Sequence, residues 1–452
     1  MRRAGSPDRR ESRPEQRRQS GQASGQVATV EITGIAADGA GVGRLPDGRA
    51  VFVHRVAPGD AARVKVVEER KRWARGRLIG LERGSAQRRA APCPHYSRCG
   101  GCTIEHLTYD AQLDAKARRV ADAFARIAGI EIPPPTVSPS PAEFGYRNRL
   151  SFSLRRLGSG RVVAGFHAID DPGRIVDIDE RCLLPEPALA SAWGQLRANW
   201  GPGAYRLPAG ERLRLTVRAT AFGRVTLLVE GGTSPGRPEE LLGSVGALAA
   251  IWHRPGPATQ ASLLAGEPWV EEIVGGDTVR LAGASFIQVN RSAAELLERH
   301  VLELAGDVAG LRVIDAYCGL GSYTRALARR GARVEAIELD EAAVAEGRRI
   351  STGDATFHAA RVEDVLSSLL PADLVVLNPP RTGVDAAVAE ALKVSPVPRI
   401  LYVSCDPATL ARDAARLGAG YVVRSVRCFD LFPQTAHVET VAELERVARS
   451  GS

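Results

Sequence analysis

Short runs in which apolar and polar residues alternate dominate the first part of the chain. Four such runs, at residues 27–35, 50–53, 62–68 and 75–81, are separated by Asp-Gly and Pro-Gly-Asp turns. Alternation bounded by turn residues predicts strands. Four or five strands in about sixty residues favour a small closed β-barrel.

The pattern changes downstream. Residues 109–127 place Leu113, Val120 and Phe124 among Lys and Arg, which predicts a helix. Residues 144–260 are typical of mixed strands and turns. Residues 270–445 alternate strand and helix, which indicates a doubly wound α/β domain with a parallel sheet. No window reaches the roughly 18 apolar residues of a membrane span.

The charge suggests a polyanionic partner. The 452 residues carry a net charge of +8, and residues 1–22 contribute +4 of it. That segment is too poor in apolar residues to fold, so we expect a disordered tail that binds nucleic acid or only aids solubility. Basic residues also surround Trp73, which favours RNA binding over a merely solvated face. They are Lys65, Arg70, Lys71, Arg72, Arg75 and Arg77.

Cysteines mark a candidate metal site. The chain has seven, and an odd number in a long chain argues against a disulfide framework. Cys93, Cys99 and Cys102 lie close in sequence, with Gly100 and Gly101 allowing a bend, and Cys182 follows at a distance. Four thiolates select zinc or an iron–sulfur cluster. Three ligands plus a remote one favour [4Fe-4S] over zinc, and buried free cysteines are the third alternative.

The C-terminal half carries a cofactor pattern. A strand through Asp315 runs into Tyr317-Cys-Gly319-Leu-Gly-Ser, and Glu338 ends the next strand, where an acidic residue commonly holds ribose hydroxyls. Thr324 replaces the third glycine of a dinucleotide motif. The pattern therefore favours S-adenosylmethionine over a dinucleotide, and Asn378-Pro-Pro at a later strand end supports a methyltransferase.

Cys405 is a candidate nucleophile. It ends the apolar strand 399–404, and the helix predicted at 408–417 follows, so we expect the helix N-terminus to lower the pKa of the thiol. Glu439 is a general base or a solvated charge. Addition of a thiolate to C6 of a pyrimidine would let C5 attack a methyl group, after which a base removes the C5 proton.

Seven motifs, in the order in which they occur along the chain, resemble the RNA uracil-5 methyltransferase family. The resemblance is to its iron–sulfur branch, whose members have an N-terminal TRAM barrel of the OB type and act on 23S rRNA. The resemblance covers residues 24–445. Its motifs begin at Cys93, Gly145, Ser285, Asp315, Pro379, Tyr402 and Phe432.

The resemblance implies a set of roles. Cys405 would be the nucleophile and Glu439 the base. Gln288, Tyr317, Gly319, Glu338 and Asn378 would bind S-adenosylmethionine, and Cys93, Cys99, Cys102 and Cys182 would bind a [4Fe-4S] cluster. Arg147 and Arg149 would lie in a central RNA-facing domain.

Three positions depart from the family pattern. Asn378 stands where the family usually has Asp, Asp406 where it often has Asn, and Ser322 where Asn is common. The charge of Asp406 would raise the pKa of Cys405. We therefore keep open a tRNA T-loop substrate and a non-catalytic RNA-binding homologue.

The expected organisation has four parts. Residues 1–22 would be the tail, 23–82 the TRAM/OB-like barrel, 83–268 a central α+β iron–sulfur and RNA-binding region, and 269–452 a Rossmann-like class I methyltransferase domain. We expect a cytoplasmic monomer without a membrane segment.

Overall fold

The structure is a computed structural model that describes residues 25–283 and 285–447. The predicted disordered tail, residues 1–22, lies outside the described residues. No helix in the described part of the chain is long and apolar enough to cross a membrane.

The first unit is a closed barrel in the order β1-β2-β3-β5-β4. Its strands are β1 (Val27–Ile35), β2 (Gly41–Arg44), β3 (Ala50–Val53), β4 (Ala61–Glu69) and β5 (Trp73–Arg83). Sequence alternation locates four of them, whereas the glycine-rich β2 lacks a strand pattern. Its glycines are needed because a Cβ on Gly41 would lie 2.3 Å from the Val56 side chain. The predicted barrel is confirmed.

A seven-stranded sheet follows, in the order β13-β12-β11-β10-β7-β8-β9. One face packs on α2 (Pro187–Asn199), where the Phe152 and Trp193 rings stack at 4.0 Å, and on α3 (Pro238–Ser244). Strands β7 (Arg149–Arg156) and β10 (Arg212–Ala219) are adjacent and antiparallel. The other strands are β8 (Val162–His167), β9 (Ile175–Asp177), β11 (Val225–Glu230), β12 (Leu248–Arg254) and β13 (Ser262–Gly266). A hairpin of β14 (Val270–Val274) and β15 (Asp277–Leu281) comes next.

The C-terminal part is an eight-stranded sheet in the order β18-β17-β16-β19-β20-β22-β21-β6. Neighbours from β18 to β20 are parallel, and β22 is antiparallel to β20 and β21. The strands are β16 (Arg312–Ala316), β17 (Arg333–Glu338), β18 (Ala355–Ala359), β19 (Leu374–Leu377), β20 (Arg399–Ser404), β21 (Tyr421–Phe429) and β22 (Glu439–Arg446). The helices are α4 (Arg291–Ala305), α5 (Ser322–Arg329), α6 (Glu341–Ile350), α7 (Val362–Leu369), α8 (Ala386–Val394) and α9 (Pro407–Leu417). The predicted α/β arrangement is confirmed.

Two upstream elements pack on this C-terminal sheet. Strand β6 (Val137–Ser138) pairs in parallel with β21 at its edge. Helix α1 (Tyr109–Ala123) and the helical turn after it bury Val120 and Phe124 in the same hydrophobic core as β20 and α9. The boundaries at residues 82/83 and 268/269 remain predictions, but residues 109–138 contribute to the core of the C-terminal sheet.

Candidate active site

Cys405 lies directly after β20, at the carboxyl edge of the C-terminal sheet. Asp406 follows it and caps α9, since its Oδ1 accepts hydrogen bonds from the backbone N–H groups of Ala408 (2.8 Å) and Thr409 (3.4 Å). An Asp at this position thus satisfies donors that the helix leaves free. The thiol of Cys405 is half-buried.

The expected low pKa of Cys405 is wrong for the free protein. Burial raises the pKa of this thiol above its ordinary value, and the nearby carboxylates of Glu439 and Asp406 raise it further. Arg381 opposes them and lowers it. A helix N-terminus favours the thiolate, but burial disfavours it more strongly. The expected effect of Asp406 has the predicted direction.

Glu439 lies at the start of β22, the strand next to the one that ends before Cys405. Strands β20 and β22 are antiparallel and pair Ser404 with Thr440, so the next pair outward is Cys405 with Glu439. The Glu439 side chain is 4% exposed, and burial raises its pKa to about 7, partly offset by Arg381. The alternative of a solvated charge is therefore wrong. A carboxyl group that titrates near neutral pH suits a general base.

The glycine turn after β16 has an unusual backbone. Tyr317, Gly319 and Gly321 all have positive φ angles, of 64°, 55° and 77°. The N–H of Gly319 donates to Glu338 Oε2 at 3.0 Å. A Cβ on Gly321 would lie 2.8 Å from the Phe357 ring, so this position requires glycine for space as well as for conformation.

Thr324 occupies the position at which a dinucleotide motif has its third glycine, and its side chain has a structural role there. Its N–H and hydroxyl both donate to Asp315 Oδ2, at 3.0 and 2.6 Å. Burial raises the pKa of Asp315 to about 7. Asp315 Oδ1 has no hydrogen-bond partner in the described protein, which leaves an acceptor beneath the turn.

Of the two remaining predicted cofactor residues, Asn378 lies at the same edge of the sheet and Gln288 lies in a loop. Asn378 follows β19, is half-buried, and donates its N–H to the carbonyl of Ala316 at 3.2 Å. Gln288 lies in the segment before α4, where its carbonyl accepts from Asn148 Nδ2 at 2.9 Å. The carboxyl ends of β16, β17 and β19 thus bring Tyr317, Gly319, Glu338 and Asn378 to one edge, where open α/β sheets bind ligands.

The four predicted cysteine ligands converge in one buried region beside the central sheet. Cys99, Cys102 and Cys182 are 7–9% exposed, and the partly buried Cys93 packs against the same core. Burial raises the pKa of all four thiols, to about 12 for Cys182. Backbone N–H groups point at three of them, as in the Gly101 N–H to Cys99 Sγ contact of 3.3 Å.

Gly100 and Gly101 are required for a reason other than a bend. Neither has a positive φ angle among the glycines of the described chain. A Cβ on Gly100 would lie 2.8 Å from the carbonyl oxygen of His167, and one on Gly101 would lie 3.1 Å from the Phe166 ring. The glycines therefore allow a close approach. In residues 25–283 and 285–447, no group of three or more His, Cys, Asp or Glu side chains is placed so that it could hold a metal ion.

Sequence reasoning missed several residues near the site. Arg381 lowers the pKa of both Cys405 and Glu439. In the sequence, its position directly after Asn-Pro-Pro is the signal that could have indicated such a role. Lys116 is 1% exposed and pairs with the buried Asp430. Gln434 is fully buried with a φ of 70°. A lysine within a basic helix and a glutamine within a loop carry no local signal of burial.

Comparisons with known proteins agree with this geometry. Residues 354–447 match the family tRNA (Uracil-5-)-methyltransferase, and residues 22–79 match the TRAM domain. An uncharacterized RNA methyltransferase of Gloeobacter violaceus is 36% identical over 93% of this chain and 97% of its own length. This chain belongs to the RNA uracil-5 methyltransferase family.

Two relatives of the methyltransferase have more specific names. The 23S rRNA (uracil(1939)-C(5))-methyltransferase of Halomonas elongata is 33% identical, over 92% of this chain and 88% of its own length. The structure of Pyrococcus abyssi tRNA (uracil-54, C5)-methyltransferase, in complex with S-adenosyl-L-homocysteine, is 28% identical with a TM-score of 0.70. The match covers 92% of this chain and 100% of the Pyrococcus chain. The predicted family, enzyme class and TRAM barrel are confirmed.

Proposed function

We propose that this RNA uracil-5 methyltransferase works through a covalent adduct between Cys405 and C6 of the target uridine, with Glu439 as the base. The observation that carries this proposal is the register of β20 and β22. Its last pair is Ser404 with Thr440, and Cys405 and Glu439 are the next residues outward at the carboxyl edge of the sheet. Side chains of facing residues in an antiparallel pair lie on the same face. A nucleophile and a base can then act on one ring.

The chemistry divides into balanced steps. The Cys405 thiolate bonds to C6, and the electron pair of the C5–C6 bond moves onto the ring as an enolate. C5 then takes the methyl group that S-adenosylmethionine supplies. Glu439 accepts the C5 proton, and the electrons of that C–H bond re-form the double bond as the C6–S bond breaks. The thiolate leaves unchanged, so one proton is released per methyl group.

Arg381 has a defined part in this scheme. In the free protein burial disfavours the Cys405 thiolate, and Arg381 is the cation that lowers the pKa of both Cys405 and Glu439. It thus stabilises the thiolate before attack and the carboxylate before proton transfer. A buried Glu439 with a pKa of about 7 is partly ionised at neutral pH, so it can accept the proton without a further partner.

For S-adenosylmethionine we propose the turn after β16 and the residues beside it. Glu338 would hold the ribose hydroxyls, and its carboxylate is already fixed by the N–H groups of Gly319 and Asp340. Tyr317, Gly319, Gln288 and Asn378 would line the rest of the site. The unpartnered Asp315 Oδ1 beneath the turn fits a polar group of the ligand.

We also propose a [4Fe-4S] cluster held by Cys93, Cys99, Cys102 and Cys182. The four thiols border one hydrophobic core, and backbone N–H groups donate to three of them, which fits thiolates whose negative charge a cluster would offset.

We place 23S rRNA before tRNA as the substrate. The cysteine set and the TRAM barrel favour rRNA, and the Halomonas relative is named for that substrate. The Pyrococcus structure keeps tRNA as the second candidate. We further propose a cytoplasmic monomer.

Methylation mapping tests the proposal. Anaerobically purified full-length protein would be incubated with S-adenosylmethionine and unmodified 23S rRNA or tRNA, and the products would be located by mass spectrometry. We expect 5-methyluridine in rRNA alone. The same product only in tRNA would keep the mechanism and change the substrate. No product, with RNA and cofactor bound, would favour the non-catalytic homologue.

A further inference from the structure

The loop between β21 and β22, residues 430–438, leads directly into Glu439 and is anchored by several upstream segments. The backbone N–H groups of Thr103 and Ile104 both donate to the carbonyl of Gln434, at 2.9 and 3.1 Å. Thr103 directly follows Cys102. The segment that holds the cysteines is thus hydrogen-bonded to the loop that delivers the candidate base.

Gln434 is the centre of this anchorage. Its Oε1 accepts from Arg89 Nη2 and Gln112 Nε2, each at 2.9 Å, and its Nε2 donates to the carbonyl of Glu143 at 3.2 Å. Its backbone N–H donates to Gln112 Oε1 at 2.9 Å. Every polar group of this buried residue is therefore used.

The backbone of Gln434 is held in an unfavourable conformation. Its φ of 70° lies in the left-handed region, which costs free energy for a residue with a side chain. Such a conformation persists only where surrounding contacts impose it. A loop that merely connected two strands would not need these hydrogen bonds, and glycine or asparagine would adopt this φ angle at a lower cost.

Helix α1 holds the loop on both sides of Gln434. The buried Lys116 pairs with Asp430 at its start and also donates to the carbonyl of Phe432. Arg119 donates to the carbonyl of Ala436, three residues before Glu439. The contacts of α1 and the cysteine segment therefore run along most of the loop, from residue 430 to residue 436.

We propose that Gln434 is a positioning residue that fixes Glu439 opposite Cys405 by tying the 430–438 loop to the cysteine segment and to α1. This inference rests on the proposed function of Cys405 and Glu439. Its consequence concerns one step only. Attack by Cys405 and methyl transfer precede the base, whereas removal of the C5 proton and breakage of the C6–S bond require it.

The test is Gln434→Ala in the full-length protein, with uridine RNA and the same RNA carrying 5-fluorouridine. Fluorine at C5 cannot be removed as a proton, so the fluorinated RNA reports formation of the adduct alone. We expect Gln434→Ala to trap fluorinated RNA at nearly the wild-type rate. On uridine RNA it should release product about ten- to a hundred-fold more slowly, because a small displacement of the base is costly. A covalent protein–RNA band should accumulate on a denaturing gel.

A second variant guards against simple misfolding. Gln434→Glu alone places a carboxylate beside Glu143, whose Oε2 lies 3.3 Å from Gln434 Nε2. Combining it with Glu143→Gln exchanges the amide and the carboxylate and keeps the total charge. Product release should be slow in the single variant and restored in the double variant. Gln195→Ala, at an exposed glutamine on α2, is the matched control and should behave as wild type.

The outcomes separate the two proposals. The inference is overturned, and Gln434 is merely structural, if Gln434→Ala slows adduct formation and product release equally. It is also overturned if this variant accumulates no adduct on uridine RNA. If Glu439→Gln traps uridine RNA in that experiment, the proposed function still stands. If wild-type protein does not trap fluorinated RNA through Cys405, the proposed function and the inference both fail.

Discussion

Two regions of this methyltransferase are built around buried thiols, and their surroundings differ. Near Cys93, Cys99, Cys102 and Cys182 the neighbours of sulfur are backbone N–H groups and other thiols, together with the carboxyl group of Glu105 and the cations of Arg55 and Arg147. Near Cys405 they are the carboxyl groups of Glu439 and Asp406 and the cation of Arg381. Burial raises the pKa of every one of these thiols. Both regions thus hold a carboxyl group and a cation near sulfur. They differ in that four thiols share the first region, whereas the groups that shift the pKa of Cys405 include no other thiol.

The largest effect should come from Cys405→Ala, which removes the proposed nucleophile. We expect turnover to fall by about four orders of magnitude or more, while RNA binding and folding persist. Cys428→Ala is the matched control, because Cys428 is a fully buried thiol with no assigned role, in β21 of the same sheet. Turnover is measured by transfer of labelled methyl groups into RNA. Full activity of Cys405→Ala would contradict the covalent mechanism.

The proposed cluster ligands can be tested at Cys182. Cys182→Ser removes the remote member of the four-thiol set, so we expect purified protein to lose most of its iron and acid-labile sulfide. Cys428→Ser should retain both. The Cys405 thiol should react with iodoacetamide at an unchanged rate, since the two regions have different partners. Undiminished iron in Cys182→Ser would remove the proposed cluster assignment.

A smaller effect concerns stability and pH. Burial raises the pKa of Glu439 from its ordinary value of 4.5 to about 7 in the folded protein. The folded state thus binds more protons between these values, and stability falls as pH rises through that window. Glu439→Gln should therefore be more stable than wild type by about 3 kcal/mol at pH 8 and nearly equal at pH 4. Urea unfolding at the two pH values measures this difference, and an equal gain at both would refute it.

The smallest effect should come from Asp406→Asn. Asparagine caps a helix as well as aspartate does, so α9 should keep its first turn. Loss of the negative charge lowers the pKa of Cys405, because the Asp406 carboxylate raises it. We expect alkylation of Cys405 at pH 7 to become about two- to fivefold faster. A slower reaction would show that Asp406 acts on the thiol through the helix cap instead.

Local patterns predicted those parts of the molecule whose signals lie within one element. Alternation located β1 and β3 at their observed bounds, and the strand before Cys405 and the helix after it lie where they were expected. The four predicted cysteine ligands lie against one hydrophobic core, and their role as ligands stays a prediction. The predicted low pKa of Cys405 was wrong, since burial and the charge of Glu439, which lies far away in sequence, raise it.

The missed features depend on contacts that are distant in sequence. Lys116 lies in a basic stretch of sequence that gives no sign of burial. Its burial is stabilised by the ion pair with Asp430, more than three hundred residues away. The two residues of β6 are too short for a strand pattern and exist as a strand only beside β21. Gln434 likewise acquires its role from Gln112 and Thr103.

The pairing of α1 and β6 with the C-terminal sheet sets an order of events during synthesis. The ribosome releases Lys116 and the apolar side chains of Val120 and Phe124 long before Asp430 and the core around β20 have been made. Until then, the nascent chain must keep this helix in water or in contact with a chaperone, because a buried lysine without its carboxylate is costly. Truncated chains that end before residue 430 would therefore be aggregation-prone, and early termination of translation would give no functional fragment.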